Sequence, residues 1–332
     1  MFRGLLQFFY SKVLIGLNLD NDSCQVHIIR IKNGTTKQNV KTDIKTIDNI
    51  FPAEALKLIK YYKKKFPFTY IGIFSKTYNQ GAIPTVDAKE FIKYNVNLQG
   101  YSAKSFDGTW SAYIKNQDCL EQISQYQDLG KLDLVFPPFV SIYLQSKKEI
   151  GKTSLFVLQE KQNISVVISD GSQVFFGGFF EIQNDVMEMN ASLSDQNNPS
   201  LANSNAFEDI LSSLSDNIDD IDDLDIDIDD LGEENSEEYD KREQARIEEL
   251  KDFIRATTTV GVLENIISSY YANPNFQSTF IEQIIILDTY GITPDAIRHI
   301  KDSLMIETFV RPFSVSEAIT SLMLEEIKRK NL

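Results

Sequence analysis

Histidine, cysteine and tryptophan are scarce in this chain, with two His, two Cys and one Trp among 332 residues. His27 and His299 each lack a metal-ligand neighbour at useful spacing, and CxxC, HExxH and GxSxG are absent. Metal-assisted hydrolysis and nucleophile-elbow chemistry therefore lose their usual handles. Cys24 and Cys119 cannot form a disulfide framework, and Cys24 lies inside an apolar run. A reduced, cytosolic setting is expected. No run of about 18 uninterrupted apolar residues occurs, so no transmembrane helix is expected. The opening MFRGLLQFFYSKVLIGL is broken by Arg3 and Lys12 and has no small-residue cleavage site, which argues against a signal peptide. Met1 to Tyr10 either rests on a membrane surface as a short amphipathic piece or packs on its own domain.

Basic residues are also missing from one long stretch. Between Glu181 and Asp240 there are 20 acidic residues and no lysine or arginine. The net charge of −15 therefore hides a mildly basic remainder of −15 + 20 = +5. The stretch is Ser/Asn-rich and then becomes an Asp ladder, a composition that cannot offset the entropy of ordering, so a disordered acidic insertion is expected. Phe207, Ile210, Leu211, Leu214, Ile218, Ile221 and Leu224 nevertheless recur at three- and four-residue steps. That spacing fits an amphipathic helix with an acidic outer face. The stretch is a solvated spacer, or its apolar residues fold onto a basic partner groove. Nucleic acid is not an expected ligand, because phosphates repel such a segment.

The rest reads as alternating strands and helices. Val13–Leu19, Cys24–Ile31 and Thr35–Ile44 have strand patterns, with Asn33-Gly34 a hairpin turn. Pro52 opens a helix through AEALKLIKYYKKKF, and FTYIGIF at Phe68–Phe74 is a buried strand. A helix is expected at Asp87–Tyr94, strands around Ser105–Ile114 and at Leu132–Val135, and a helix from Pro137-Pro138 to Leu144. The opening order then repeats: strands at Ser154–Leu158, Ile164–Ile168 and Gln173–Phe180, separated by EKQN and Asp170-Gly171. Helices at Arg242–Ala256 and Gly261–Tyr271 follow the insertion. Next come a strand at Ile281–Leu287, a helix capped by Thr293-Pro294 and a strand at Thr308–Val310. A last helix opens on the capping box of Ser314 and Glu317.

This doubled meander resembles the actin-like (RNase H-like) ATPase fold. Within it the chain is similar to the PilM family of type IV pilus proteins and to the cytoplasmic domain of GspL from type II secretion. The cues are the lead-in to GLNLD with its hairpin, LDLVFPPFVSIYL closing the first half, and IIILDTYGITPDAIRHI closing the second. The resemblance implies an α/β, two-lobed fold with a duplicated meander. Its first lobe would be 1–80 with 131–150, carrying an inserted small subdomain at 81–130. Its second lobe would be 151–182 with 275–332, interrupted by the insertion at 183–240 and a helical subdomain at 241–274.

The resemblance also implies ATP and Mg²⁺, held by three loops, and this chain departs from each. The family's first phosphate loop, roughly G-I-D-I-G-S-S-S-V-K, reads G-L-N-L-D-N-D-S-C-Q over Gly16–Gln25. Asn18 replaces the metal-associated aspartate, Asp20 a glycine and Gln25 a lysine. Asn18 lacks the charge that organises hydrated Mg²⁺. Asp20 adds a side chain and a repelling charge where glycine lets amides approach phosphate. The second loop, D-x-G in the family, places Val157 and Gln159 at its ends in FVLQEKQNIS. The adenosine-side Gly-Gly becomes Asp288-Thr289, with Gly291 alone remaining. No cofactor and no catalytic or metal-ligating residue is expected.

Asp20 and Asp22 also read simply as hairpin-turn residues, and His27 as a core or edge side chain. Lys63, Lys64 and Lys65 are a solvated helix end or a docking patch for an acidic tail. The resemblance implies a non-catalytic, cytoplasmic scaffold peripheral to the inner membrane, serving a pilus, type II secretion or DNA-uptake machine. Its implied partners are the cytoplasmic tail of a bitopic inner-membrane assembly protein and the secretion or pilus ATPase, through which it would reach the membrane. An actin-like ATPase with an unusual site, or an adaptor acting through the acidic insertion, are the alternatives.

Overall fold

The computed structural model describes residues 10–47, 49–182, 236–276 and 278–330. The chain divides into two compact units, 1–183 with 252–332, and 184–251. The expected insertion, with Phe207, Ile210, Leu211, Leu214 and Ile218, lies outside the described residues apart from its final positions, where a helix begins at Ser236.

The first unit opens with strand β1 (Lys12–Asp20), β2 (Ser23–Lys32) and β3 (Thr35–Lys45). Helix α1 (Ala53–Lys65) and β4 (Phe68–Phe74) follow. Next are β5 (Gln80–Ile83), the hairpin β6 (Tyr101–Phe106) and β7 (Trp110–Lys115), α2 (Asn116–Gln125), β8 (Leu134–Phe136) and α3 (Pro138–Ser146). The second half runs β9 (Ser154–Gln159), β10 (Asn163–Ser169), β11 (Val174–Glu181) and α4 (Ser236–Ala272). It closes with β12 (Gln283–Asp288), α5 (Pro294–Leu304), β13 (Glu307–Pro312) and α6 (Val315–Lys330).

The first sheet has the order β3-β2-β1-β4-β8, antiparallel through β1 and parallel beyond it. The second begins β13-β12-β9-β10-β11, which read from β11 is the same order with the same mixture of directions. Two copies of one five-stranded topology make this a duplicated α/β fold, the architecture that the resemblance to actin-like proteins implies. β5, β7 and β6 extend the second sheet beyond β11 to eight strands.

Each half lends its last helix to the other half's sheet. α3 packs on β9 and β10, while α6 packs on β1, β2 and β4. Their shared core holds Leu14, Phe139, Ile142, Phe156, Ile285, Ile319 and Met323. The opposite faces are closed by α1 over Val13, Ile15 and Val26, and by α4 and α5 over Leu155, Val166 and Ile284. Strands buried on both faces explain the near-continuous apolar runs of β1, β9 and β12. Gly16 is where α6 crosses closely, since a Cβ there would sit 2.3 Å from the Ser316 carbonyl oxygen.

The differences from the sequence reading are local. The helices expected at 242–256 and 261–271 form one helix, α4. Thr257, Thr258 and Thr259 donate their hydroxyls to the carbonyls of Phe253, Ile254 and Arg255. Those bonds keep an otherwise poor helical stretch in the ladder. The helix expected at 87–94 shrinks to a 3₁₀ turn at Phe91–Tyr94, ended by Asn95 at φ 60°. Glu317 of the expected capping box reaches Lys41 at 2.9 Å.

Candidate functional site

Parallel strands place a crevice at their carboxyl ends, where connections leave in opposite directions. Here the ends of β1, β4, β9 and β12 meet, and the turns that follow them carry most of the positions singled out in the sequence.

The turn after β1 faces the equivalent turn after β9. Asp20 is 6% exposed. Its Oδ2 accepts the backbone N–H of Lys161 at 2.8 Å, and its Oδ1 that of Gln162 at 3.3 Å. Lys161 Nζ donates to both oxygens of Asp22, at 2.8 and 2.9 Å. Beneath them Glu160 Oε1 accepts from Asn18 Nδ2 at 2.9 Å and from Lys76 Nζ at 2.8 Å. Lys76 also donates to the Leu19 carbonyl at 2.7 Å. Burial pushes the Glu160 carboxyl up, the Lys76 ammonium draws it back, and Asp20 adds to the rise. Burial acts to lower Lys76, yet Glu160 and Asp20 outweigh it and hold the ammonium above its ordinary value. The result is a buried, charge-assisted network across the two halves.

The turn after β12 is closed by its own side chains as well. Asp288 accepts the backbone N–H groups of Tyr290, Gly291 and Ile292 at 3.1, 2.9 and 3.1 Å. Thr289 Oγ1 donates to the Gln159 carbonyl at 2.8 Å, and Gln159 Nε2 donates to Thr259 Oγ1 at 3.0 Å. Asp252, on α4, accepts the Thr293 N–H and the Tyr290 hydroxyl.

Amides that a phosphate would need are thus already bonded to carboxylates of the chain, and the deepest position holds a further carboxylate, Glu160. A nucleotide would have to displace these bonds and meet like charge, so the residues present do not fit ATP and Mg²⁺. Of the positions singled out in the sequence, Asn18 and Asp20 come together in this network. Gln25 lies across the ladder from Asn18. Gln159, Asp288 and Thr289 form the second cluster. Val157 lies in mid-strand, fully buried in the core. Lys76, Glu160 and Lys161 were not singled out. The charged pair in the EKQN turn, directly after an apolar strand, was the available signal.

The remaining candidates lie elsewhere. Lys63 Nζ donates to the carbonyl of Leu129 at 2.7 Å, capping a neighbouring loop. Lys65 bonds the Tyr61 hydroxyl at 2.8 Å, and Lys64 is exposed. His27 is buried with both ring nitrogens bonded, Nδ1 to Thr320 and Nε2 to Asn39, each at 2.6 Å. It fastens α6 to the sheet.

A separate groove of about 530 Å³ lies between β6, β8, α3 and the end of α6. Phe106, Leu134, Phe136, Val140, Tyr143 and Leu322 line it. Ion pairs rim it, Lys147–Asp107 at 2.5 Å and Lys104–Glu326 at 3.5 Å. β6 and β8 are the end strands of their sheets, so two strand edges border one apolar groove.

Residues 9–143 match a family model described as Domain of unknown function (DUF8569). No curated protein matches the chain. Among solved structures it is similar to the PilM-PilN type IV pilus biogenesis complex, at 11% identity and a TM-score of 0.49, over 95% of this chain and 94% of that one. It is also similar to a Bacteroides thetaiotaomicron protein with actin-like ATPase fold and unknown function, at 10% identity and a TM-score of 0.43, over 95% and 98%. A third is the activator of 2-hydroxyisocaproyl-CoA dehydratase from Clostridium difficile with bound ADPNP, at 11% identity and a TM-score of 0.44, over 96% and 97%. Residues 155–328, more than half of the chain, match a further model, and the chain belongs to the family it describes, Domain of unknown function (DUF8341).

Proposed function

We propose that this chain is a non-catalytic scaffold of a pilus-like, type II secretion-like or DNA-uptake platform, working at the cytoplasmic side of the inner membrane. It keeps the two-lobed body and has given up nucleotide chemistry. The observation that carries this reading is the Asp20 carboxylate on the Lys161 and Gln162 amides, which takes up two backbone donors of that turn. A cleft tied shut by its own side chains has no opening and closing to couple to hydrolysis.

The apolar groove supports the second half of the proposal, that the chain holds the cytoplasmic tail of a bitopic inner-membrane assembly protein. An extended tail can pair with a sheet edge for affinity and use apolar pockets for selection. The role of PilM beside PilN, in the complex named above, is the model for that arrangement. The secretion or pilus ATPase is the proposed second partner.

Calorimetric titration with ATP and Mg²⁺ tests the reading. No saturable heat is expected up to millimolar nucleotide; micromolar affinity would sink it. A photo-crosslinker at Phe136 should capture an inner-membrane protein through its cytoplasmic tail, and one at Thr36 should not.

A further inference from the structure

Strand β13 (Glu307–Pro312) ends the eight-stranded sheet, so its outer backbone groups have no neighbouring strand among the described residues. Alternate side chains of a strand point to opposite faces. Glu307, Phe309 and Arg311 share one face, where Arg311 reaches Glu149, just beyond α3, at 2.5 Å. Thr308 and Val310 share the other, and Val310 packs on the core beneath α4 and α5. Phe309 is 41% exposed, and Met305, two residues before the strand, is 91% exposed.

Charges on an edge strand usually keep other strands away. β3, an edge of the first sheet, is guarded in this manner. Its three lysines, Lys37, Lys41 and Lys45, against Asp43 give +3 − 1 = +2, so two such edges repel.

β13 differs. Its two charges are opposite in sign and stand symmetrically about Phe309. A two-fold axis through Phe309 would set two copies of the strand antiparallel. Glu307 then lies opposite the partner's Arg311, and Arg311 opposite the partner's Glu307. Opposed side chains in such a pair have Cβ atoms about 5 Å apart, within reach of an ion pair. Phe309 meets the partner's Phe309, and Thr308 meets the partner's Val310. Pro312 ends the strand, so its missing N–H costs no bond between these pairs. Arg311 gives one nitrogen to Glu149 and keeps further N–H groups for a second carboxylate.

We propose that two copies of this chain join through β13 as an isologous dimer, merging two eight-stranded sheets into one. The occupant is a second copy because the charge pattern of the edge is complementary to itself. β6, which borders the apolar groove, lies at the other end of the same sheet, so this pairing leaves the groove open. The inference goes beyond the scaffold reading and does not depend on it.

Sedimentation equilibrium of the full chain tests it. The wild-type chain should associate reversibly to a dimer as its concentration rises from micromolar to submillimolar. Glu307→Arg sets like charges against each other at two symmetry-related places and should weaken association at least about tenfold. Arg311→Glu should do the same, acid against acid. An equimolar mixture of the two variants should dimerise again, because every cation then faces an anion. Phe309→Asp keeps the Arg311–Glu149 pair and should also be monomeric, which covers the case of a misfolded Arg311→Glu. The proposal is overturned if the wild-type chain stays monomeric throughout, which would leave the edge to a strand of another protein. Persistence of the dimer in Glu307→Arg or in Phe309→Asp overturns it as well, and so does a mixture of folded variants that fails to pair.

Discussion

The Asp20 carboxylate and the Lys161 amide, 2.8 Å apart, join the first hairpin of one half to the first hairpin of the other. This contact spans 141 positions of sequence and is part-buried. Asp20→Ala leaves the Lys161 and Gln162 amides without their acceptor in a buried place. A loss of about 1–3 kcal/mol is expected from the unfolding midpoint in urea. Asp20→Asn retains an acceptor and should lose less. Equal stability of all three proteins would show that the carboxylate does not hold the cleft.

Lys76 and Glu160 should behave as one unit. Lys76→Met strands a buried carboxylate and Glu160→Leu strands a buried ammonium, so each should cost about 3–5 kcal/mol. Removing both charges should cost much less than the sum, a coupling that a double-mutant cycle reads directly. The pH dependence has a definite sign. A lysine raised by folding contributes stability in full below its ordinary value of about 10.5, and the contribution is lost as pH climbs through the raised value. Wild-type melting temperature should therefore fall more steeply above pH 10.5 than that of Lys76→Met. Parallel curves would refute the pairing.

The fold was more legible than the site, and the reason is range. β1, β9 and β12 announce themselves because burial on both faces demands unbroken apolar runs, and Asn33-Gly34 and Asp170-Gly171 mark their turns locally. α4 was misread because ATTTVG looks like a helix end until the threonine hydroxyls find the carbonyls behind them. Asp20 was visible as a departure from a glycine, but its ligands lie on a turn in the other half. Lys76 and Glu160 lie just beyond the ends of β4 and β9, and no local pattern links them. The groove needs β6, β8, α3 and α6 together, so no single stretch of sequence reveals it.

The close crossing of α6 over β1 gives a prediction about packing rather than charge. Gly16→Ala would put its methyl carbon 2.3 Å from the Ser316 carbonyl and 2.9 Å from the Thr320 side chain. Backbone cannot yield as a long side chain can, so α6 must lift from the sheet, at a cost of about 1–3 kcal/mol. His27 should report the movement, because its bond to Thr320 joins the same two elements. Its imidazole resonances should shift in Gly16→Ala and stay in place in Gly34→Ala. Gly34 has φ 74° and no atom within 4 Å of an added Cβ, so only backbone strain of about 1 kcal/mol is expected there. If Gly16→Ala proves as mild as Gly34→Ala, the helix does not rest on that glycine.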